Sequence, residues 1–312
     1  MIENKRILVT GGAGFFGSWI VDTLSKRGVK KENIFVPRRK DYDLRKREDI
    51  EKVFNQFKPE IVIHLATVSG GMAYYKEHPA EVFFDNLMMG MQLLNVAKDK
   101  NIEKVVIAGT TLAYPESAEI PYKECDLWNG QPNDIEAPYG LSSRMLAAQA
   151  EVYRKEYGLN SIYLIFTSLY GPRDHFDGNS HVIPSMIKKF QEAKTNGNKS
   201  VTLWGTGKAK REFIYVEDAA NALIEAIEKY NSKDPLNIGS GNEITIKKLA
   251  ETVSKVVDYR GEITWDTSKP DGRLRRAVDS SRAKKEIGLK TNVDLDSGLK
   301  RTIDWYLENK QK

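Results

Sequence analysis

Five short apolar runs rich in β-branched residues recur through the first half of the chain, at 6–10, 33–37, 61–65, 104–109 and 161–166. Between them lie 15–28, 46–57, 79–99 and 138–157, whose apolar positions return every three or four residues. A strand with no polar side must be covered on both faces, so this alternation predicts a parallel sheet between two helical layers. Pro79 and Pro138 fall where two helices should begin, where a fixed φ and a missing N–H are harmless. After about 170 the pattern shortens to 201–204, 236–238 and 244–257, between loops rich in Gly, Asn and Pro at 171–184, 195–200 and 268–273. No internal repeat or low-complexity tail is present.

The first strand, Ile7-Leu8-Val9-Thr10, runs into Gly11, Gly12, Gly14 and Gly17 and then into helical spacing from Ser18. Strand, glycine turn and helix in this order form a dinucleotide fingerprint, because the glycines let backbone reach a pyrophosphate at the helix N-terminus. The expected fold is therefore α/β: a Rossmann-type doubly wound parallel sheet over residues 1–168. Residues 169–312 should form a smaller C-terminal α/β part that binds substrate, with some chain returning to the first. Gly11, Gly14, Phe15, Phe16 and Gly17 are the first candidate cofactor contacts, joined by Asp43 and Leu44, and by Leu65 and Ala66 where the third strand ends.

Composition narrows the class. The chain has 312 residues, 40% apolar and 29% charged, as in an ordinary globular protein. No apolar run reaches 18 residues and the N-terminus enters a strand directly, which predicts a cytoplasmic protein with no membrane contact. A single cysteine, Cys125, in the hydrophilic stretch Lys123–Asp126, fits a reducing compartment and reads as a passive thiol. The net charge of +5 includes clusters at 26–31, 38–47 and 273–276. No nucleic-acid motif accompanies them, and Lys/Glu alternation elsewhere suggests a solvated surface, so no nucleic acid is expected. No metal site is read either.

The second strand decides the cofactor. A carboxylate there would hold a ribose 2′-OH, but Ile34-Phe35-Val36 ends in Pro37-Arg38-Arg39-Lys40. Arg38 and Arg39 suit a 2′-phosphate, since guanidinium pairs with phosphate bidentately. NADP(H) is expected, with NAD(H) as the lesser option.

On these and further motifs the chain resembles the extended short-chain dehydrogenase/reductases that act on nucleotide sugars, and within them the GDP-L-fucose synthase branch. The carriers are GGAGFFG (11–17), VSGGM (68–72), DNLMM (85–89), PYGLSSR (138–144), LYGPRDHF (169–176), NSHVIPSMIKKF (179–190), LWGTGKAKREFIYVEDAA (203–220) and KPDGRLRR (269–276). The resemblance runs nearly end to end. It implies hydride transfer between a nicotinamide and a GDP-linked 4-keto-6-deoxy sugar, with epimerisation, in a homodimer built on helices 79–99 and 138–157. Tyr139 matches the proton donor, and Thr110 or Thr111 the hydroxyl that polarises the sugar carbonyl. His181 matches a general acid for epimerisation. Asn86, Lys189, Trp204, Arg211 and Lys269 match the sugar-nucleotide side, although for Arg211, followed by Glu212-Phe213, a structural ion pair is a rival role.

Two positions depart from the branch. The lysine four residues after the tyrosine is Ser143, and Arg144 points about 100° away around the helix. The epimerising cysteine is Leu112, which cannot take a proton. A 4,6-dehydratase is disfavoured because Leu112-Ala113 stand where that branch has Asp-Glu. Two other readings follow from these departures: a C4 epimerase or dehydrogenase on the same scaffold, or a module that binds both nucleotides without turnover.

Overall fold

The computed structural model describes residues 2–177, 180–269 and 271–309. In chain order the first half holds β1 (Ile7–Thr10), α1 (Phe15–Lys26), β2 (Ile34–Phe35), α2 (Arg47–Phe57), β3 (Ile61–His64), α3 (Met72–Glu77), α4 (Pro79–Ala97), β4 (Lys104–Thr110), α5 (Ala137–Tyr157) and β5 (Ser161–Phe166). The second half holds β6 (Ser168–Tyr170), α6 (Val182–Thr195), β7 (Ser200–Trp204), β8 (Lys210–Tyr215), α7 (Val216–Lys229), β9 (Leu236–Ile238), β10 (Glu243–Thr245), α8 (Ile246–Val257), β11 (Glu262–Asp266), β12 (Arg275–Arg276), α9 (Ser281–Ile287) and α10 (Leu295–Asn309).

Six strands form one parallel sheet in the order β2-β1-β3-β4-β5-β9. β1 therefore has β2 on one side and β3 on the other, and the chain reverses direction across the sheet there. In such sheets the crevice beyond the strand carboxyl ends at the reversal is the ligand site. β2 is shorter than the predicted 33–37. Residues 31–33 are a 3₁₀ turn, and Pro37 has no N–H for a ladder. β9, the predicted 236–238, extends the first sheet beside β5.

Both faces of this sheet are covered. Ile7, Val9, Ile63 and Leu164 pack with α1 and α7, the latter through Leu223, Ile224 and Ile227. Leu8, Val62, Val105 and Ile107 pack on the other face with Leu93 and Leu94 of α4 and Leu146 of α5. A third core gathers α6, α8 and α10 over β7 and β8. β8 lies between β10 and β12 and also pairs with β6, while β7 pairs with β11. β6 directly follows β5, so this second assembly begins where the large sheet's strands end. No described helix is long and apolar enough to cross a membrane.

Candidate active site

One cavity of about 1160 Å³ opens between the carboxyl ends of the large sheet and the second assembly. Its first wall is backbone. Gly11 has φ +69°, and a Cβ there would lie 2.8 Å from the Ala66 amide nitrogen; one on Gly17 would overlap the Gly11 carbonyl oxygen. The loop therefore folds tightly against both β3 and itself. Gly14 caps α1 without any side-chain hydrogen bond, so the first N–H groups of the helix remain free beside the cavity. Phe15, Phe16, Leu44, Leu65 and Ala66 also line it. These features fit a dinucleotide: a cradle that added side chains would fill, at an unblocked helix N-terminus.

A buried pair sets the end of β3. Thr10 Oγ1 accepts from the amides of Leu65 and Ala66 at 3.2 and 3.3 Å, so its own proton goes to His64 Nδ1 at 2.8 Å. Burial pushes His64 down to about 4, which keeps the imidazole neutral and able to accept. Arg38 and Arg39 are exposed at the cavity rim beyond β2. Asp43, expected to contact cofactor, pairs with Arg45 at 2.8 Å, and that hydrogen bond holds its carboxyl at about 2. Arg45 also reaches the buried Asp85 at 3.1 Å, tying the chain before α2 to α4. Asp43 still lines the cavity, with its carboxylate engaged.

The opposite end is made of side chains. Tyr139 stands in the first turn of α5, half-buried, with its ring 5.7 Å from that of Tyr75 on α3. Burial pushes its phenol up, and the Thr67 hydroxyl works against that rise. Ser143 lies one turn on, and its hydroxyl shares a 2.6 Å hydrogen bond with Tyr163 of β5. Arg144 turns away as its helical position requires, donating to the carbonyls of Ala113 and Gly130. β4 ends at Thr110, whose Oγ1 accepts from the Leu112 amide at 3.2 Å and starts a 3₁₀ turn. Thr110, Thr111 and Leu112 all face the cavity.

Asn86 lines the cavity, but its amide is engaged. Oδ1 accepts from the Val68 amide at 2.6 Å and the Thr67 hydroxyl at 3.0 Å, and Nδ2 donates to the Val68 carbonyl at 2.9 Å. Its visible task is to fasten the loop after β3. His181 precedes α6, with Nδ1 3.9 Å from Oδ1 of the buried Asp174. Lys189, Trp204 and Arg211 complete the far wall. Trp204 is 62% exposed, with Lys189 5.9 Å and Lys269 5.8 Å from its ring, although Lys269 is not itself a lining residue. Burial, then the adjacent Arg276 charge, lowers Arg211 to about 10. The neighbouring Glu212 is not its partner. Glu212 accepts the amides of Gly241 and Val278, while Arg211 donates to the Lys210 carbonyl. Neighbouring strand residues face opposite ways.

Thus the one cavity gathers all the predicted site residues except Lys269. Asn179 and Pro270, in the NSHVIP and KPDG motifs, lie outside the described residues. Thr67, Tyr75, Tyr163 and Asp174 escaped the sequence reading, because a lone hydroxyl or carboxylate in an apolar or loop context carries no spacing signal. Cys125 is exposed and lies off the cavity. No group of three His, Cys, Asp or Glu among the described residues could hold a metal ion.

A parallel sheet with a glycine cradle at its reversal, facing a tyrosine and two threonines, defines a dinucleotide-dependent enzyme scaffold. The NAD dependent epimerase/dehydratase family model matches residues 7–239, and the chain belongs to that family. It is similar to GDP-L-fucose synthase 1 of Arabidopsis thaliana, 35% identical over 308 residues that cover 98% of this chain and 94% of the relative. Among solved structures it resembles a GDP-6-OMe-4-keto-L-xylo-heptose reductase from C. jejuni, 30% identical, with a TM-score of 0.93 over 99% of each chain. It also resembles a GDP-mannoheptose C4 reductase from Campylobacter jejuni with NADP bound, 30% identical, with a TM-score of 0.89 over 98% of this chain and 99% of that one.

Proposed function

We propose that the protein is an NADP(H)-dependent epimerase/reductase of a GDP-linked 4-keto-6-deoxy-hexose. The observation that carries this reading is a single cavity with a pyrophosphate cradle at one end and a cationic, aromatic wall at the other. A volume of about 1160 Å³ has room for a dinucleotide and a nucleotide sugar together. Lys189 and Arg211 would meet the sugar nucleotide's diphosphate, and Trp204, flanked by Lys189 and Lys269, its base or ribose. The 2′-phosphate would sit on Arg38 and Arg39.

The reduced nicotinamide, when bound, supplies hydride to the ketone carbon. Tyr139 gives the proton to the ketone oxygen, and burial keeps that phenol protonated at neutral pH. Thr110 is the better polariser of the two threonines. Its oxygen accepts from the Leu112 amide, which leaves its O–H free to donate to the substrate. His181 faces the same cavity as the acid for epimerisation. Mixing the protein with NADPH and a GDP-4-keto-6-deoxy sugar should bleach the NADPH absorbance. If no nucleotide 4-keto sugar oxidises NADPH, the proposal fails.

Leu112 favours a second reading, reduction without epimerisation. It lines the cavity beside Thr110 and Thr111, and a hydrocarbon cannot remove a proton from carbon next to a carbonyl. Solvent deuterium at the carbons flanking the ketone separates the two. Incorporation during turnover supports epimerisation, and its absence supports plain C4 reduction.

The homodimer belongs to the same proposal. Phe84 and Met91 of α4 and Met145 and Val152 of α5 are exposed on two helices that pack together. Such a patch suits a second copy of the pair. Phe84→Lys with Met145→Glu should turn a dimer in sedimentation into a monomer.

A further inference from the structure

The basic cluster at 273–276 is engaged by the protein itself. Arg273 donates to the Pro115 and Glu116 carbonyls. Arg275 donates to the Ile120 carbonyl at 2.8 Å and to the Glu243 carboxylate at 2.6 and 2.7 Å. Arg276 donates through a single nitrogen to both carboxylate oxygens of Glu136, at 2.5 and 2.6 Å. The three arginines thus fasten β12 and its approach to successive points of the chain between Thr110 and Tyr139. Arg275 and Arg276 are neighbours on a strand and face opposite ways. Of the two, Arg276 alone lines the cavity, beside Arg211 of β8, its partner in the sheet register.

Glu136 is the residue at which α5 begins. Its carbonyl accepts the Gly140 amide at 2.9 Å, and Tyr139 lies in the turn so formed. A first helical turn has few hydrogen bonds of its own and frays unless something else holds it. Two contacts from distant parts of the chain hold this one. Gly140 lies so close to the Leu112 carbonyl that a Cβ would stand 2.3 Å from its oxygen. The other contact is Arg276, and the two side chains of that ion pair are only 13% and 10% exposed, so water screens it little. The Arg276 Nε is buried with no partner among the described residues, and Glu136 is what holds the guanidinium. We propose that Glu136 and Arg276 are positioning residues for Tyr139. Their pair fixes the first turn of α5 against the wall that carries Arg211, and so sets the phenol's distance from a substrate seated on that wall. Neither residue exchanges a proton: the acid is Tyr139, and the hydride comes from the reduced nicotinamide. The inference rests on the reductase reading above.

Glu136→Gln keeps the shape of the side chain and removes its charge. It should lower kcat by roughly 10–100-fold, the loss expected when a reacting group is misplaced by up to an ångström. The KM for the sugar nucleotide should not rise, because Arg276 is released beside Arg211 as a second cation for the diphosphate. The Kd for NADPH should stay unchanged. Arg276→Gln breaks the pair from the other side and should lower kcat to the same extent. Arg275→Gln is the control: it removes an ion pair from the same strand, away from α5 and the cavity, and should leave kcat unchanged. Full kcat in Glu136→Gln or in Arg276→Gln, or an equal fall in Arg275→Gln, would overturn the proposal. A readout without turnover separates it from the reductase reading. With fluorotyrosine at position 139, fluorine NMR reports the surroundings of that ring. Glu136→Gln should shift or broaden the resonance, and Arg275→Gln should leave it in place. An unmoved resonance in Glu136→Gln overturns the proposal even in a protein that turns over nothing. A moved one without turnover on any keto sugar supports the pair and counts against the reductase reading.

Discussion

At the glycine-loop end of the cavity, contacts come from the backbone of Gly11–Gly17 and the tips of β1 and β3. At the Tyr139 end, separated segments each supply one side chain: Thr67, Thr110, Tyr139, His181, Trp204 and Arg211. A backbone site depends on local conformation, and one stretch of glycines specifies it. A side-chain site depends on which rotamers the packed elements allow, and any residue can be exchanged while the fold survives. The first end should therefore govern cofactor binding and stability together, while the second governs rate and sugar-nucleotide binding and leaves the fold untouched.

The largest expected effect tests that separation. Tyr139→Phe should cut kcat by roughly 10²–10⁴-fold, the contribution of one general acid, with NADPH affinity nearly intact. Steady-state reduction and a fluorescence titration of NADPH measure the two. A parallel collapse of binding would mean that Tyr139 supports the fold, and the division between the ends would be lost.

Gly17→Ala reverses the pattern. The added methyl overlaps the Gly11 carbonyl and presses on Gly12, both of them backbone that cannot step aside. The cost should be about 2–4 kcal/mol of stability by urea melting, as for an overpacked or strained core. NADPH affinity should fall with it. Unchanged affinity would show that the cradle tolerates widening and that the fit to a pyrophosphate is looser than its geometry.

How far these ends could be read in advance follows from their materials. The strand 161–166 and the helix over 138–157 stand nearly as predicted, because long periodic runs leave few alternatives. β9 has three residues, Leu-Asn-Ile, and no period; only its pairing with β5 shows where it belongs. The glycine loop was legible as a tight turn between strand and helix, and it folds that way. Thr67 and Tyr163 were not, since each matters through one partner distant in sequence. Asn86 was legible as a site residue, and only the fold shows its amide fastened to Val68.

pH offers a milder probe of the backbone end. His64 is held at about 4 by burial, against about 6.5 in an unfolded chain. Between those values the unfolded state binds a proton that the folded state refuses, so stability rises with pH there. The contribution is complete above about pH 6.5 and is lost as pH falls toward 4, an effect of about 3 kcal/mol. Protonation also ends acceptance at Nδ1, releasing the Thr10 hydroxyl that orders the amides of Leu65 and Ala66. Urea melts across this range should show the slope, and His64→Gln should flatten it. An equally steep slope in the variant would assign the acid sensitivity to other groups.

Arg38 and Arg39 give the smallest expected effect and the sharpest test of the comparison, because they are the side-chain part of the otherwise backbone end. Both are exposed at the rim, so water and salt screen whatever they hold. Replacing the pair with alanine should weaken NADPH binding by about tenfold, with NADH binding and folding stability unchanged. The preference for NADPH should also shrink as salt is raised, since an exposed guanidinium–phosphate contact loses its Coulomb attraction within a few ångströms of solution. Parallel titrations of the two cofactors, at low and high salt, read both quantities. If the double variant keeps its NADPH preference, the 2′-phosphate is held elsewhere, and Arg45, fixed by Asp43 and Asp85, becomes the next cation to remove.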